Sequence, residues 1–138
     1  EITAHNAKQN GLAVEAAQAD VFDFLTELDK KKDHSYDYIV LDPPAFTKSG
    51  KTVHEAFRGY KEINYRAMKI LPRGGYLATC SCSHFMGEEL FVKMVKEAAR
   101  DAGVTLRQIE FRQQAPDHPI LMTVPETYYL KFFLFQIV

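Results

Sequence analysis

A chain of 138 residues with 46% hydrophobic and 25% charged content has the make-up of one globular domain. A formal net charge of -1 argues against a domain that grips nucleic acid by bulk positive charge alone. No apolar run reaches the length of a membrane span, and nothing at Glu1 has the pattern of a signal peptide.

Ile2 to Asn10 reads as the end of an amphipathic helix, with Gly11 as its left-handed stop. Val14 to Ala19 is expected to form a short strand. Asp20 then caps a helix to about Lys31, with Val21, Phe22, Phe24, Leu25 and Leu28 as its apolar face. Lys30 to Ser35 is a solvated turn. Tyr36 to Leu41 has apolar residues in succession, the pattern of a strand covered on both faces. Residues 47–51 make a polar loop, expected to be mobile. A long helix over about Val53 to Leu71 stops at Pro72-Arg73-Gly74-Gly75. A strand over 75–80, a helix from about Gly87 to Ala102, and strands over 104–112 and 127–137 follow. Gln114-Ala115-Pro116-Asp117-His118-Pro119 forms an irregular loop between the last two. Strands alternating with helices predict an α/β fold whose mostly parallel sheet ends in an antiparallel pair.

Two motifs follow buried strands: Asp42-Pro43-Pro44-Ala45-Phe46 and Thr79-Cys80-Ser81-Cys82-Ser83. Ligands of open α/β sheets sit beyond the carboxyl ends of the strands. Neighbouring strands would there deliver a carboxylate on a proline-stiffened turn and a thiol. An acid directly after Ile39-Val40-Leu41 is costly to bury without a partner. The two prolines also remove two backbone donors, leaving nearby carbonyls to face a ligand. The two cysteines stand one residue apart, too close for an ordinary structural disulfide, which points to a reducing and therefore cytoplasmic setting. Cys80, Cys82 and His84 alternate and suggest a zinc edge, but no fourth ligand has zinc spacing, and His118 would have to come from afar. Lys48, Lys51, Arg58 and Lys61 are candidate phosphate contacts, although such isolated cations usually face water.

The ordered set of Asn10-Gly11-Leu12, Asp20, Leu41-Asp42-Pro43-Pro44, Pro72-Arg73-Gly74-Gly75, Thr79-Cys80-Ser81-Cys82-Ser83, Ala115-Pro116-Asp117-His118-Pro119 and Tyr129-Leu130-Lys131 carries a resemblance. It resembles the back two-thirds of a class I S-adenosylmethionine-dependent methyltransferase domain. More narrowly, it is similar to the bacterial family that contains the 23S ribosomal RNA 5-methylcytosine methyltransferases. The resemblance runs over essentially the whole chain. It implies a Rossmann-like sheet in the family order 3-2-1-4-5-7-6, S-adenosyl-L-methionine as cofactor, RNA as partner and no metal. Members of the family also carry an amino-terminal RNA-binding region. Their first strand ends in a glycine-rich turn for the cofactor's methionine part, and their second in an acid for its ribose. These are missing here, so residues 1–138 are expected to be a partial catalytic domain that lacks the first two strands and binds cofactor weakly by itself.

The resemblance also implies roles. Asp20 accepts from the adenine amino group, with the Val21 N–H nearby and Phe22 either lining the adenine pocket or packing in the core. For Asp20 the plain alternative is a helix cap. Asp42 and Pro43 lie beside the cofactor, and Asp42 holds the ring nitrogen and amino group of a flipped cytosine. Pro44 and Phe46 meet the base, Phe46 by stacking or merely by packing. Carbon 5 of cytosine is too electron-poor to attack a methyl donor directly, and a thiolate adding at carbon 6 overcomes this. In related RNA enzymes the nucleophile stands seven residues after the second glycine of Pro-x-Gly-Gly, which from Gly75 is Cys82. Cys80 is the second candidate, though its place inside the strand suits packing. Ala45 and Phe46 stand where related enzymes often have another cysteine, so the proton-abstracting base is unassigned. Asp117 and His118 shape the rim of the site or are simply satisfied loop residues. Two rival readings remain. One is methylation of an exocyclic amine, for which the Asp-Pro-Pro turn suffices. The other is a non-catalytic interaction module, a homodimer in its simplest form, that associates through the final strand with Tyr128, Tyr129, Phe132, Phe133 and Phe135.

Overall fold

The computed structural model describes residues 2–46 and 50–138. Expectations that fall on Glu1, Thr47, Lys48 and Ser49, including the phosphate contact from Lys48, lie outside those residues. Helix α1 (Ile2–Gln9) is followed by α2 (Val21–Lys31), β1 (Tyr38–Leu41), α3 (Val53–Ile70) and β2 (Tyr76–Ser81). Then come α4 (Glu88–Ala102), β3 (Leu106–Arg112) and β4 (Lys131–Ile137). The four strands form one sheet in the order β1-β2-β4-β3. β1 and β2 are parallel, and β4 runs antiparallel to both its neighbours. This is the 4-5-7-6 end of the implied family order.

Local chemistry explains the boundaries. Asp20 Oδ1 accepts from the backbone N–H groups of Phe22 and Asp23 at 2.9 and 3.1 Å, meeting donors that the first turn of α2 leaves unpaired. The turn before β2 needs both of its glycines. Gly74 has φ +90°, and a Cβ on Gly75 would stand 3.0 Å from the Pro72 carbonyl oxygen and 3.3 Å from that of Asp37. That close approach lets the Tyr76 N–H reach the Asp37 carbonyl at 2.8 Å and sets the β1–β2 register. Leu41 therefore lies opposite Thr79, and the next residues of the two strands, Asp42 and Cys80, come side by side.

Helices α2, α3 and α4 pack against one face of the sheet. Leu25, Leu28, Tyr60, Met68, Phe91 and Val95 meet Leu41, Leu77, Phe133, Phe135 and Ile137 in a continuous core. By alternation, Tyr38, Val40, Tyr76, Phe132 and Leu134 look to the opposite face. There Val40 is 62% exposed, and the rings of Tyr38 and Tyr76 stack at 6.1 Å. This corrects the expectation that the first strand is covered on both sides: its core helices all lie on one.

The expected strand over Val14–Ala19 is also absent, and these residues are exposed. The resemblance would place it two family strands away from β1, and among the described residues no strand lies beside it. An extended segment has no ladder to join without a hydrogen-bonding neighbour. The final strand begins at Lys131 rather than at 127, because Pro125–Thr127 winds into a short 3-10 turn. Among the described residues no helix is long and apolar enough to cross a membrane.

Candidate active site

The carboxyl ends of β1 and β2 bring Asp42 and both cysteines together, but in unlike settings. Cys80 is inside β2 and 7% exposed. Its thiol donates to Asp42 Oδ1 at 3.2 Å and to the Leu41 carbonyl at 3.3 Å. Burial above all, then the Asp42 hydrogen bond and charge, push the Cys80 thiol up to about 12. Cys82 lies past the end of the strand and is exposed. Because β2 stops at Ser81, strand alternation does not carry Cys80, Cys82 and His84 onto one zinc-facing edge. Among the described residues no three His, Cys, Asp or Glu side chains are grouped to hold a metal ion.

Tyr60 of α3 is fully buried beneath the two motifs. Ser81 Oγ donates to the Tyr60 hydroxyl at 3.0 Å and accepts from the Ser83 N–H at 3.3 Å. Burial raises the Tyr60 hydroxyl above its ordinary value, with the Ser81 bond opposing. The half-buried Phe46 ring meets Tyr60 edge-on at 4.7 Å and lies 6.4 Å from Phe22. Gly59 lies against it: a Cβ there would stand 3.4 Å from the Phe46 ring, at ordinary contact distance. This aromatic cluster draws the start of α2, with Asp20, Val21 and Phe22, to the same end of the sheet as Asp42, Pro43 and Pro44. Asp20 and Val21 are exposed, as are Asp42 and Pro44, whereas Phe22 and Pro43 are half-buried.

Lys131 is the residue whose importance sequence reasoning missed, having entered only as part of a motif. It opens β4 opposite Ser81 and is 1% exposed. Its Nζ donates to the carbonyls of Ser83 at 2.5 Å and Tyr129 at 2.7 Å. Burial lowers its ammonium to about 8, with the Cys82 charge acting in the opposite sense. Tyr129 in turn pairs its hydroxyl with His118 Nδ1 at 2.9 Å, tying the loop at 114–119 to this corner. The available signal was the period of the strand: Lys131 occupies the same alternate positions as the buried Phe133, Phe135 and Ile137.

Other candidates lie elsewhere. Lys61 bonds to Asp101 at 2.7 Å and Glu97 at 3.4 Å, joining α3 to α4, so its charge is already engaged. Lys51, Arg58, Asp117 and His118 are exposed.

No family model matches the chain. It is 44% identical over 134 residues to ribosomal RNA large subunit methyltransferase I of Aeromonas salmonicida, covering 95% of this chain and 34% of that protein. The protein of the same name from Photobacterium profundum is 45% identical over 131 residues, covering 93% and 33%. That from Klebsiella pneumoniae strain 342 is 40% identical over 136 residues, covering 96% and 34%. The chain thus spans about a third of the length of the curated relatives it matches. Among solved structures, a proposed SAM-dependent methyltransferase from Streptococcus mutans superposes with a TM-score of 0.78 at 20% identity, covering 97% of this chain and 34% of that one. A proposed DNA modification methylase from Thermus thermophilus gives 0.54 at 12% identity, covering 86% and 51%. The chain is a homologue, along nearly its whole length, of ribosomal RNA large subunit methyltransferase I, and its sheet is part of the S-adenosylmethionine-dependent methyltransferase fold.

Proposed function

We propose that this chain is the carboxyl-terminal part of the catalytic domain of a cytoplasmic S-adenosylmethionine-dependent methyltransferase. Its substrate is a cytosine in 23S ribosomal RNA, methylated at carbon 5, and Cys82 is the nucleophile. The observation that carries this reading is the contrast between the thiols: Cys82 is exposed just past the end of β2, while Cys80 is buried within it and donates to Asp42, the first residue of the Asp42-Pro43-Pro44 turn.

The residues present suit the adenosine end of the cofactor. Asp20 is exposed and uses Oδ1 for its cap, leaving its other oxygen as an acceptor for an adenine amino group, with apolar Val21 and Phe22 beside it. Asp42 and Pro43 would border the same ligand. When bound, S-adenosylmethionine supplies an electrophilic methyl group.

The chain's own part in the chemistry concerns the base. The Cys82 thiolate adds to carbon 6 of a flipped cytosine, and the electron pair of the 5,6 double bond makes carbon 5 nucleophilic. Asp42 has one oxygen taken by the Cys80 thiol, and the other is left to accept from the protonated ring nitrogen and the amino group. Once carbon 5 carries the methyl group, loss of its proton to solvent re-forms the 5,6 double bond and expels the Cys82 thiolate. Pro44 and Phe46 border the base, with Phe46 steadied by Tyr60.

The test incubates the intact protein with S-adenosylmethionine and ribosomal RNA containing 5-azacytidine, followed by a denaturing gel. The wild type and the Cys80→Ala variant are expected to form a covalent RNA adduct, and Cys82→Ala none. Methyl transfer to ordinary RNA that persists in Cys82→Ala, without an adduct in any version, would replace this reading with methylation of an exocyclic amine.

A further inference from the structure

A buried lysine ordinarily pairs with a carboxylate, because an ammonium removed from water is costly to leave uncompensated. Lys131 departs from this pattern. Its ammonium has two carbonyl partners, those of Ser83 and Tyr129, and no carboxylate among the described residues acts on it. The side chain whose charge reaches it is Cys82, the residue immediately before one of those carbonyls. Carbonyls orient an ammonium and solvate it in part, but they do not neutralise it. Among the described residues the Cys82 charge acts on Tyr60 of α3, Cys80 of β2 and Lys131 of β4, and of these three Lys131 alone is cationic. Asp42, from the end of β1, is turned to Cys80.

We infer that Lys131 is a positioning residue for Cys82: its ammonium fixes the Ser81–Ser83 turn through the Ser83 carbonyl and stands as the counter-charge of the Cys82 thiolate. An ammonium beside a thiolate makes the corner a pair with no net charge. The corner then holds an anionic sulfur without recruiting an ion. The inference rests on the proposed role of Cys82 and explains how that thiolate is accommodated at the end of an otherwise apolar strand pair. Tyr129 and His118 brace the second carbonyl, so the loop at 114–119 contributes to the same placement.

The charge can be read directly with two alkylating reagents on the intact protein. Iodoacetate and iodoacetamide both consume the thiolate, so the ratio of their rates at Cys82 cancels the titration of the thiol itself and reports the charge beside it. Site-resolved mass spectrometry separates Cys82 from Cys80. In the wild type the iodoacetate-to-iodoacetamide ratio is expected to fall roughly threefold as pH rises through the Lys131 titration, the order of effect of removing one nearby unit charge in a largely aqueous setting. Lys131→Arg, charged throughout, is expected to hold the ratio level, and Lys131→Met to hold it at the lower value at every pH. A loosened turn would change both reagents alike and leave the ratio unmoved. A wild-type ratio that stays flat with pH overturns the inference even where the methionine variant does not fold. Failure of the RNA adduct assay with the ratio still responsive would instead remove the methylation reading and leave the Lys131–Cys82 coupling in place.

Discussion

The Cys80 thiol donates to Asp42 Oδ1 at 3.2 Å, across the parallel register that sets Leu41 opposite Thr79. One hydrogen bond thus joins the carboxylate motif to the cysteine motif. It also separates two cysteines that are alike in sequence. Cys80 is a proton-retaining group that orients Asp42, while Cys82, past the strand end, is open to solvent.

The first consequence is selective labelling. At about pH 8, iodoacetamide is expected to modify Cys82 at least roughly tenfold faster than Cys80, since the reactive species is the thiolate and Cys80 is both buried and protonated. Fragmentation mass spectrometry of the peptide carrying both residues measures the two rates. Equal rates would show that Cys80 is not held as described.

Cys80 also makes a pH-dependent contribution to stability. Its folded value, about 12, lies above the ordinary thiol value of 9.0, so between these limits the folded state keeps a proton that the unfolded state releases. The contribution is complete below about 9 and is lost as pH rises toward about 12. Urea denaturation of the wild type and Cys80→Ala is expected to show a stability gap that narrows over this range. A gap that widens with pH would contradict the sign.

Asp20 has a structural duty that can be separated from the proposed ligand contact. Asp20→Ala removes the cap of α2 and is expected to cost about 1 kcal/mol in denaturant unfolding. Asp20→Asn keeps a capping oxygen and should stay within about 0.5 kcal/mol of the wild type. If the free oxygen receives the adenine amino group, Asn presents a donor there instead, and cofactor affinity of the intact protein falls roughly tenfold, about 1.4 kcal/mol. Calorimetric titration reads the second effect; unchanged affinity would leave Asp20 as a cap alone.

Gly59 lies within α3, where glycine costs helix stability relative to alanine. A Cβ there would meet the Phe46 ring at 3.4–3.5 Å, an ordinary contact distance. Gly59→Ala is therefore expected to stabilise the protein by about 0.5–1 kcal/mol. Gly59→Leu should instead displace Phe46 from Tyr60 and destabilise it. Denaturant melts of both variants check the pair of signs.

Much of the fold was legible in the sequence because it depends on local chemistry. Apolar periodicity marked α2, α3 and α4, Asp20 marked a helix start, and Gly11 marked a stop whose φ is +65°. The Pro72–Gly75 turn and the alternation of strands and helices gave the parallel β1–β2 pair and the antiparallel finish. The two motifs at the strand ends were likewise visible from their position after apolar runs.

What the sequence could not supply is the identity of each residue's neighbours across the fold. Val14–Ala19 has strand-like composition, yet a strand is held by a partner's backbone and none of the described residues provides one. Val40 looks like a core residue, but its face of the sheet carries no covering helix. Cys80 and Cys82 differ because β2 ends between them and Asp42 arrives beside the first. Lys131 has an ordinary charged side chain in the sequence, and only the antiparallel pairing with Ser81 removes it from water and sets it near Cys82. Periodicity and capping act over a few residues and can be read along the chain. Desolvation and charge pairing depend on distances through space, and these are fixed only when the strands take their register.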